Sequence, residues 1–488
     1  MTSNLPIPLT TLFTLRGLLP AFLGALPVLA SAQNLLGLTT SPNGGIHRAY
    51  QNPAWLADSP HRFFFSVGAA NINVNNNYVR YQAPYSLLRL VTGNVPAQYR
   101  QPNGSLRFEA DYTTEILDGK PKNGTIWGEF RGPAFSVAIG PRTVLSLSSR
   151  LRASGQVWGA SEQLLSALRA SLASSAFYSI PSRNNEFSVN TNTYGELAAS
   201  LGHTLLETAT DQVLVGATVK YIVGFTSGYF VNRGLEYQVL PDPNVPGGGY
   251  LDVSQISANF GFTSFLRNQN LSVRSLINGS PPGRGVGFDL GVAYVHQRDA
   301  DSPALRAGFA LTDLGSVSYA GEAYDISQQK LRFLPSDFDD VRNSEQVINV
   351  VREKLGVTEA QNQGRFRSGL PTSLNLNADY ALPTGLGVQA ALWLDLRSNT
   401  AIAAHQPTVV ALVPRFDRRW LGVALPLSLV NGGAQVGLAL RAGPLTAGSD
   451  NLLGLIGTSR NGIRPRGVDV YVGLAMGFGS RSKSEDTD

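Results

Sequence analysis

"QVLVGATVKYIVGF", residues 212–225, alternates apolar side chains with small or polar ones at every second position. Successive side chains of a β-strand point to opposite faces, so this period of two predicts a strand with one apolar surface. Lys220 falls on the other surface, between Gly216 and Gly224. The apolar face consists of Val213, Val215, Ala217, Val219, Tyr221, Val223 and Phe225. Alternation of this length is typical of a strand tilted through a lipid bilayer.

The same alternation recurs along nearly the whole chain, for example in residues 143–154, 372–380 and 386–397. Fourteen strands are predicted, near 61–81, 125–139, 144–158, 187–206, 212–230, 249–264, 285–296, 305–320, 366–382, 386–397, 406–417, 419–430, 434–454 and 466–480. An even number is typical of single-chain bacterial barrels, and 12 or 16 strands would also fit. The pattern therefore predicts an all-β fold, a transmembrane antiparallel β-barrel of about 14 strands over residues 61–480, with short helices in its loops.

The composition agrees with a barrel and excludes some kinds of chemistry and binding. Only 15% of the residues are charged, against about 25% in an ordinary soluble chain. A barrel accounts for this deficit because its outer band is apolar and its lumen can be polar without charge. The chain has no cysteine, which excludes disulfides and cysteine-based metal or thiol chemistry. Its net charge of +5 is too small and too dispersed to indicate nucleic-acid binding.

The first 32 residues have the layout of a secretory signal peptide. An apolar run over 17–30 precedes a triplet of small residues ending at Ala32, where we expect cleavage. A retained transmembrane anchor is the alternative, but about 14 apolar residues interrupted by Pro20 and Pro27 are fewer than the roughly 20 that a spanning helix needs. Export and a barrel together predict the outer membrane of a Gram-negative bacterium, with its lipid as a partner. Residues 481–488 form a polar tail.

Several stretches together resemble a known family. They are "NPAWLADS" at 52–59, "GVGFDLGVAYVHQRDADSPALRAGFALTDLGSVSYAG" at 285–321, "LRAGPLTAGSDNLLG" at 440–454 and "GVDVYVGLAMGFG" at 467–479. As a set they resemble an uncharacterised family of Bacteroidota outer-membrane barrels, a domain of unknown function distantly similar to FadL-type and PorV-type barrels. The resemblance implies a 14-stranded barrel with residues 33–60 folded into the lumen as a hatch. It supplies no catalytic, metal or ligand residues and no cofactor.

The hatch meets the wall near "NPAW", which consists of Asn52, Pro53, Ala54 and Trp55. Proline fixes the backbone and has no amide hydrogen to leave unpaired, so this motif is a candidate pivot between hatch and wall. An ordinary β-turn is the alternative. In the strand that follows, the face that begins at Phe63 is expected to continue through Ala69 to Asn71 and the later asparagines. Asparagine suits a wall that meets water or a polar plug, because it hydrogen-bonds without the desolvation cost of a charge.

Charged residues on the polar faces are candidates for lining the lumen. They are Arg150, Arg152, Lys220, Asp289, Asp379, Asp395 and Arg397. Mixed charges inside a barrel are expected to pair and fill it, because an isolated buried charge is costly. The alternative is that these charged residues line a path for a solute.

One insertion, residues 321–365, contains a helical pattern. A helix over about 336–356 is predicted, capped by Ser336 and with valines and Leu355 largely on one face. Counting strands from a periplasmic amino terminus places this insertion on the periplasmic side, together with the turns "GPRT", "TATD" and "NGG". The helix either covers the barrel rim or docks a protein partner.

The sequence favours a protein that is not an enzyme. Its five histidines lack metal-ligand spacing, and none adjoins a serine in a nucleophile-elbow motif. Three functional classes stay open: a FadL-like conduit for small apolar molecules, a PorV-like scaffold of a secretion or surface-assembly complex, and a secreted soluble β-protein or adhesin.

Overall fold

The computed structural model describes residues 35–263, 280–299, 301–339, 341 and 344–481. The predicted signal peptide, and the tail beyond 481, lie outside these residues. Among the described residues no helix is long and apolar enough to cross a membrane.

Fourteen antiparallel strands form a closed barrel, in which the last strand pairs with the first, for example at Ile72 and Val470. The strands are β1 (His61–Asn76), β2 (Lys122–Ala138), β3 (Thr143–Ala160), β4 (Ser182–Glu207), β5 (Asp211–Pro241), β6 (Gly249–Phe262 and Gly283–Gln297), β7 (Ala304–Ala320 and Glu322–Phe333), β8 (Arg365–Gly369 and Ser373–Ala381), β9 (Leu386–Asp395), β10 (Val409–Asp417), β11 (Leu421–Ala424 and Leu427–Val430), β12 (Gly433–Val436 and Leu438–Ala442), β13 (Leu445–Ser449) and β14 (Gly467–Ser480). Each strand is hydrogen-bonded to its sequence neighbours around the ring.

The helices are short. They are α1 (Leu36–Thr39), α2 (Leu87–Val91), α3 (Glu162–Arg169), α4 (Ser344–Lys354) and α5 (Leu452–Ile456). Turns of 3-10 helix cover Pro42–Tyr50, Pro53–Leu56, Ala97–Tyr99, Ala110–Tyr112, Ser175–Phe177, Pro335–Phe338 and Glu359–Gln361. A small ribbon pairs Val79–Tyr81 with Thr113–Glu115 above the barrel wall.

The predicted all-β barrel of about fourteen strands is confirmed, but two errors in the strand assignment offset each other. The predicted strands 249–264 and 285–296 are both parts of β6, because both pair with β5. The predicted strand 434–454 is instead the hairpin β12–β13. Gly443 makes its tight turn possible, since its φ of 57° is a conformation that favours glycine.

The two ends of the barrel differ in their connections. His61 and Ser480 lie at the same end, where strands are joined by short turns such as "GPRT" and "TATD"; we call it the short-turn end. The other end, the long-loop end, carries the connections 77–121, 161–181, 334–364, 396–408 and 450–466. The "NGG" turn and the 321–365 insertion lie at the long-loop end, so their predicted placement on the same side as "GPRT" and "TATD" is wrong.

The outer surface of the wall is apolar. Every second residue of β6 from Val286 to Tyr294 is exposed and apolar, including Leu290 (52% exposed) and Val292 (48%), while alternate residues such as Asp289 are buried. The same alternation on the other strands exposes Phe65, Leu147, Val219, Phe309, Leu412, Leu440 and Val472. An apolar outer face around a polar interior is the arrangement of a lipid-embedded barrel.

A β-bulge in β1 reverses the expected facing of its residues. The pairing with β14 shifts between Ser66 and Gly68, so Phe63 points outward while Ala69 and Asn71 point inward. The predicted common face is therefore wrong, since one extra residue exchanges the two faces of a strand. Asn71, Asn73 and Asn75 of this strand are buried in the lumen.

Strands β5 to β7 continue beyond the wall as a ribbon at the long-loop end. In this ribbon the first segment of β6, from Tyr250 to Phe262, lies between β5 and the second segment of β7 and pairs with both. Helices α3 and α4 cover one face of this ribbon, and Leu164 and Leu355 share a buried apolar cluster with Tyr237 and Phe260. The predicted helix start at Ser336 is wrong, because Ser336 lies in a separate 3-10 turn and α4 begins at Ser344.

Replacing a belt residue with arginine should impair insertion into lipid. Leu290→Arg places a charge at the middle of the outer face, and we expect a cost of about 2–4 kcal/mol in the free energy of unfolding from phospholipid vesicles. Urea titrations followed by heat-modifiable gel mobility measure it. Gln329→Arg, an exposed position on the ribbon, is the control and should change stability little; an equal loss in both variants would contradict the assignment of the belt.

Candidate functional site: the plugged lumen

Residues 35–60, which we call the plug, lie inside the barrel and fill the lumen. They include α1 and two 3-10 turns, and most of their side chains are buried. Each 3-10 turn begins with a polar cap followed by proline: the Ser41 side chain accepts the Asn43 amide hydrogen, and the Asn52 side chain accepts that of Ala54. These caps satisfy amides that a short turn leaves unpaired.

Asn52 fixes the plug to the wall. Its amide nitrogen donates to the carbonyl oxygens of Val292 (3.0 Å) and Phe309 (3.2 Å), two residues that face each other on β6 and β7. Its amide oxygen accepts from the Ala54 backbone at 2.9 Å. One fully buried side chain therefore joins the plug backbone to two neighbouring wall strands.

Three glycines form a flat seat for this part of the plug. Gly202, Gly216 and Gly291 stand in register on β4, β5 and β6. A Cβ at Gly216 would lie 2.3 Å from the Ala54 nitrogen, and one at Gly291 would lie 1.9 Å from the Asn52 side-chain oxygen. Any larger residue would collide with the plug, so the glycines set how closely it approaches the wall.

Trp55 completes the anchor. It is 2% exposed and packs against Leu214, Ala293 and Val295 of the wall. The Arg48 guanidinium stacks over its ring at 4.9 Å. The four "NPAW" residues thus sit against the wall deep in the lumen, several residues before the chain enters β1 at His61. Movement about them stays a prediction.

Eight charged side chains form a network inside the barrel, which we call the central network. They are Glu129, Arg131, Arg150, Arg152, Glu196, Lys220, Asp289 and Asp313. Four are positive and four negative, so the network is neutral. Arg150 reaches Glu196 at 2.6 Å, and Lys220 reaches Asp289 at 2.6 Å. All eight are buried, and their pairing offsets part of the cost of removing them from water.

Asp313 enters this network through a local distortion of β7. The pairing of β7 with β6 shifts between Leu311 and Leu314, and Asp313 has a φ of 55°. This left-handed conformation is unusual for a residue other than glycine. It turns the carboxylate toward Arg152, at 2.8 Å, while the Asp313 amide donates to Asp289 at 2.7 Å. Strand periodicity alone gives no signal for a residue placed by a bulge.

The plug contributes to the electrostatics of the lumen. Tyr50 lies between the guanidinium groups of Arg131 (4.2 Å) and Arg150 (4.9 Å). Near it, His47 contacts the Ser66 hydroxyl at 3.1 Å. Burial, and to a lesser extent Arg131, lowers the pKa of His47 to about 3, so its ring is neutral at physiological pH.

A second set of ion pairs joins the plug to β7. Asp58 contacts Arg48 at 3.0 Å and Arg306 of β7 at 2.9 Å. Burial raises the pKa of Asp58, but Arg306 and Arg48 outweigh it and hold that pKa below its usual value. Beside them Asp379 contacts Arg415 at 2.7 Å. Five of the seven predicted lumen residues therefore lie in ion pairs, and the acids Glu129, Glu196, Asp58 and Asp313 were missed.

The remaining two predicted residues belong to a loop that folds into the lumen. Residues 396–408, which we call the strap, join β9 to β10 and reach β3, which is six strands from β9 and seven from β10 in the ring of fourteen. Asp395, at its base, contacts His405 at 2.6 Å. Arg397 donates to the carbonyl oxygens of Leu370 and Gly315, both at 2.9 Å. Both residues thus hold the strap rather than join the central network.

His405 docks the strap on the opposite wall. Its amide donates to the Gln156 side chain at 2.7 Å, and that side chain donates back to the His405 carbonyl. The His405 ring stacks on Trp158 with centroids 4.8 Å apart. Trp158 also donates to the Asn399 side chain at 3.1 Å. The strap therefore closes the lumen toward the long-loop end, above the plug.

One gap between the plug and the wall is small. The gap bordered by Tyr50, Arg150, Lys220 and Asp289 has room for about one water molecule. Over the described parts of the chain, no group of three or more His, Cys, Asp or Glu side chains is arranged to hold a metal ion. The arrangement is a closed lumen with two barriers, the plug and the strap.

A profile of a family of unknown function (DUF5723) matches residues 53–450. No curated protein matches the chain.

Solved structures share the barrel architecture at low identity. The Ralstonia pickettii toluene transporter TbuX is 10% identical with a TM-score of 0.38, over 93% of this chain and 100% of that one. A Pseudomonas aeruginosa FadL homologue is 11% identical with a TM-score of 0.31, over 92% and 97%. The Escherichia coli outer membrane protease OmpT is 7% identical with a TM-score of 0.25, over 86% and 98%. A likeness this low supports no function.

Enlarging the glycine seat should dislodge the plug. Gly216→Val introduces atoms where the Ala54 backbone lies, and we expect destabilisation of about 1–3 kcal/mol. Arg48, buried in the plug, should then become a trypsin site in protein embedded in vesicles, detected by mass spectrometry.

Gly234→Val is the matched control on the same strand, because a Cβ there meets no atom within 4 Å. Resistance of Arg48 to trypsin in both variants would show that the seat does not position the plug.

Proposed function

The chain belongs to DUF5723, a family of unknown function, and we propose from the structure of its barrel that it is an outer-membrane conduit for small apolar molecules, gated by the plug. The observation that carries this proposal is the way the plug is held. Among the described residues, each hydrogen bond between residues 35–58 and the wall involves a side chain on at least one side. No strand ladder joins them, so the plug can leave without breaking the barrel.

The apolar belt supports the location. A closed wall pairs its own backbone N–H and C=O groups, as lipid requires. An outer face lined by apolar residues such as Phe309 and Leu412 is favourable in lipid and unfavourable in water. A secreted soluble β-protein would expose this face to water, which makes that class the weakest of the three. A Gram-negative outer membrane is the compartment in which such barrels occur.

The lumen above the central network offers an apolar surface for cargo. Tyr319 stacks with Phe366 at 5.5 Å, and Tyr229 contacts Phe366 at 5.0 Å. Ile222 and Leu370 extend this cluster beneath the strap. An apolar molecule entering from the long-loop end would meet these side chains once it had passed the strap, and the charged central network and plug would bar its way until they move.

A disulfide lock tests the gate directly, because the chain has no native cysteine. An ideal Cβ at Gly202 lies 2.7 Å from the Leu56 Cβ, so a shift of about 1 Å brings this pair to disulfide distance. We expect Leu56→Cys/Gly202→Cys protein to take up small apolar solutes into liposomes only after reduction. The single variants, which cannot form the bond, should be active in both states.

Absence of uptake in every form, including reduced protein, would contradict the conduit. A scaffold of a surface-assembly complex is the second candidate, and the folded ribbon with α4 favours it because a pore alone needs no such domain. In that case deletion of residues 336–356 should release a stably bound partner while uptake stays absent.

A further inference from the structure

A patch of positive charge lies on the outer face of the wall, at the edge of the apolar belt. Arg284 is exposed on β6, and Arg365 and Arg367 are exposed on β8. Ser318 of β7 stands between two of them, because it pairs with Arg284 on one side and with Arg367 on the other. Residues directly opposite each other on neighbouring strands have their side chains on the same face of the sheet. Arg284, Ser318 and Arg367 therefore form one row on the outside of the barrel, which we call the arginine row.

The length of β6 places this row at the edge of the membrane. Val286 (53% exposed) and Phe288 (44%) follow Arg284 on the outer face, and the exposed apolar run ends at Tyr294. Arg284 and Tyr294 are 10 positions apart. At about 3.3 Å per residue and a tilt of about 40°, this separation spans a height of about 25 Å. An outer-membrane barrel has an apolar band of about that height, so Arg284 lies where the lipid headgroups begin, at the long-loop end.

The protein does not balance the charge of this patch. Among the described residues, its three arginines form no ion pair. The two acids nearest to it along β7 have other partners: Glu322 contacts Arg352 at 3.3 Å, and Asp325 accepts a hydrogen bond from Gln363 at 2.9 Å. Unpaired basic side chains at headgroup depth attract anionic lipid. The charge of the patch thus complements an anionic headgroup.

The spacing of the row suits a phosphate. Neighbouring strands lie about 4.8 Å apart, so the backbones of Arg284 and Arg367 are about 10 Å apart, with Ser318 midway between them. Two guanidinium groups can converge from the two sides, each donating two parallel hydrogen bonds to phosphate oxygens. The serine hydroxyl is a further donor beneath them. Arg365 lies two residues beyond Arg367, about 7 Å nearer the long loops, where it can meet a second anionic group.

We propose that the arginine row binds a phosphorylated glycolipid of the outer leaflet, with one phosphate between Arg284 and Arg367. The longer loops of outer-membrane barrels are extracellular, so the long-loop end meets the outer leaflet. A sugar headgroup with two phosphates matches the row together with Arg365, and its acyl chains lie along the belt below Val286. This inference rests on the membrane location in the proposed function and not on the conduit.

Native mass spectrometry measures this binding on the full-length protein, purified in detergent and washed free of lipid. Lipid A with two phosphates should bind as one molecule per chain under conditions that remove phosphatidylcholine. Arg284→Gln/Arg367→Gln should weaken the binding of lipid A at least tenfold, because both guanidinium groups of the row are lost. Arg418→Gln/Arg419→Gln is the matched control, since it removes two exposed arginines from a turn at the short-turn end. The control pair should bind lipid A as the native protein does.

A second pair, Arg284→Lys/Arg367→Lys, keeps the charge and removes the planar donor groups. It should bind lipid A more tightly than the glutamine pair and more weakly than the native protein. Heat-modifiable gel mobility checks that each variant is folded. Equal binding by the native protein and the glutamine pair, or an equal loss in the control pair, would overturn the site. Equal binding of phosphatidylglycerol would overturn its assignment to a glycolipid. Because the measurement needs no uptake, failure of the conduit leaves this result intact.

Discussion

The constraint on which this structure depends is that lipid offers no hydrogen bonds to a backbone. Every strand must pair on both sides, so β14 must return to β1 and the sheet must close. Closing fourteen strands leaves a lumen too wide for wall side chains alone, whereas about eight strands would be filled by them. The chain therefore fills its own lumen with the plug, the strap and the central network.

The filling combines two kinds of contact. On β4 to β6 the three glycines of the seat have no side chains, so the plug backbone lies directly against the sheet. Elsewhere on these strands and on their neighbours, long charged side chains reach inward and pair with one another or with plug residues such as Asp58. The glycine seat fixes the position of the plug. The paired charges fill the remaining lumen with side chains whose charges balance. Neither uses the main-chain ladder that holds the wall, which separates the stability of the plug from that of the barrel.

Periodicity predicted the barrel because lipid outside and polar groups inside impose a strict period of two on each strand. It failed wherever a strand departs from that period. The bulge near Gly68 exchanged the faces of β1, and the bulge near Asp313 concealed an acid of the central network. The insertion within β6 made one strand look like two, while a two-residue turn at Gly443 made two look like one. The strap could not be foreseen, since its docking on Gln156 joins residues far apart in sequence.

The central claim is that the plug opens independently of the wall, and hydrogen exchange of the protein in lipid vesicles tests it most directly. Amides of residues 42–57 should exchange together, at a rate set by an opening much less costly than unfolding, while amides of β3 and β4 stay protected. Exchange of the plug and the wall at one common rate, reached only on global unfolding, would contradict the account.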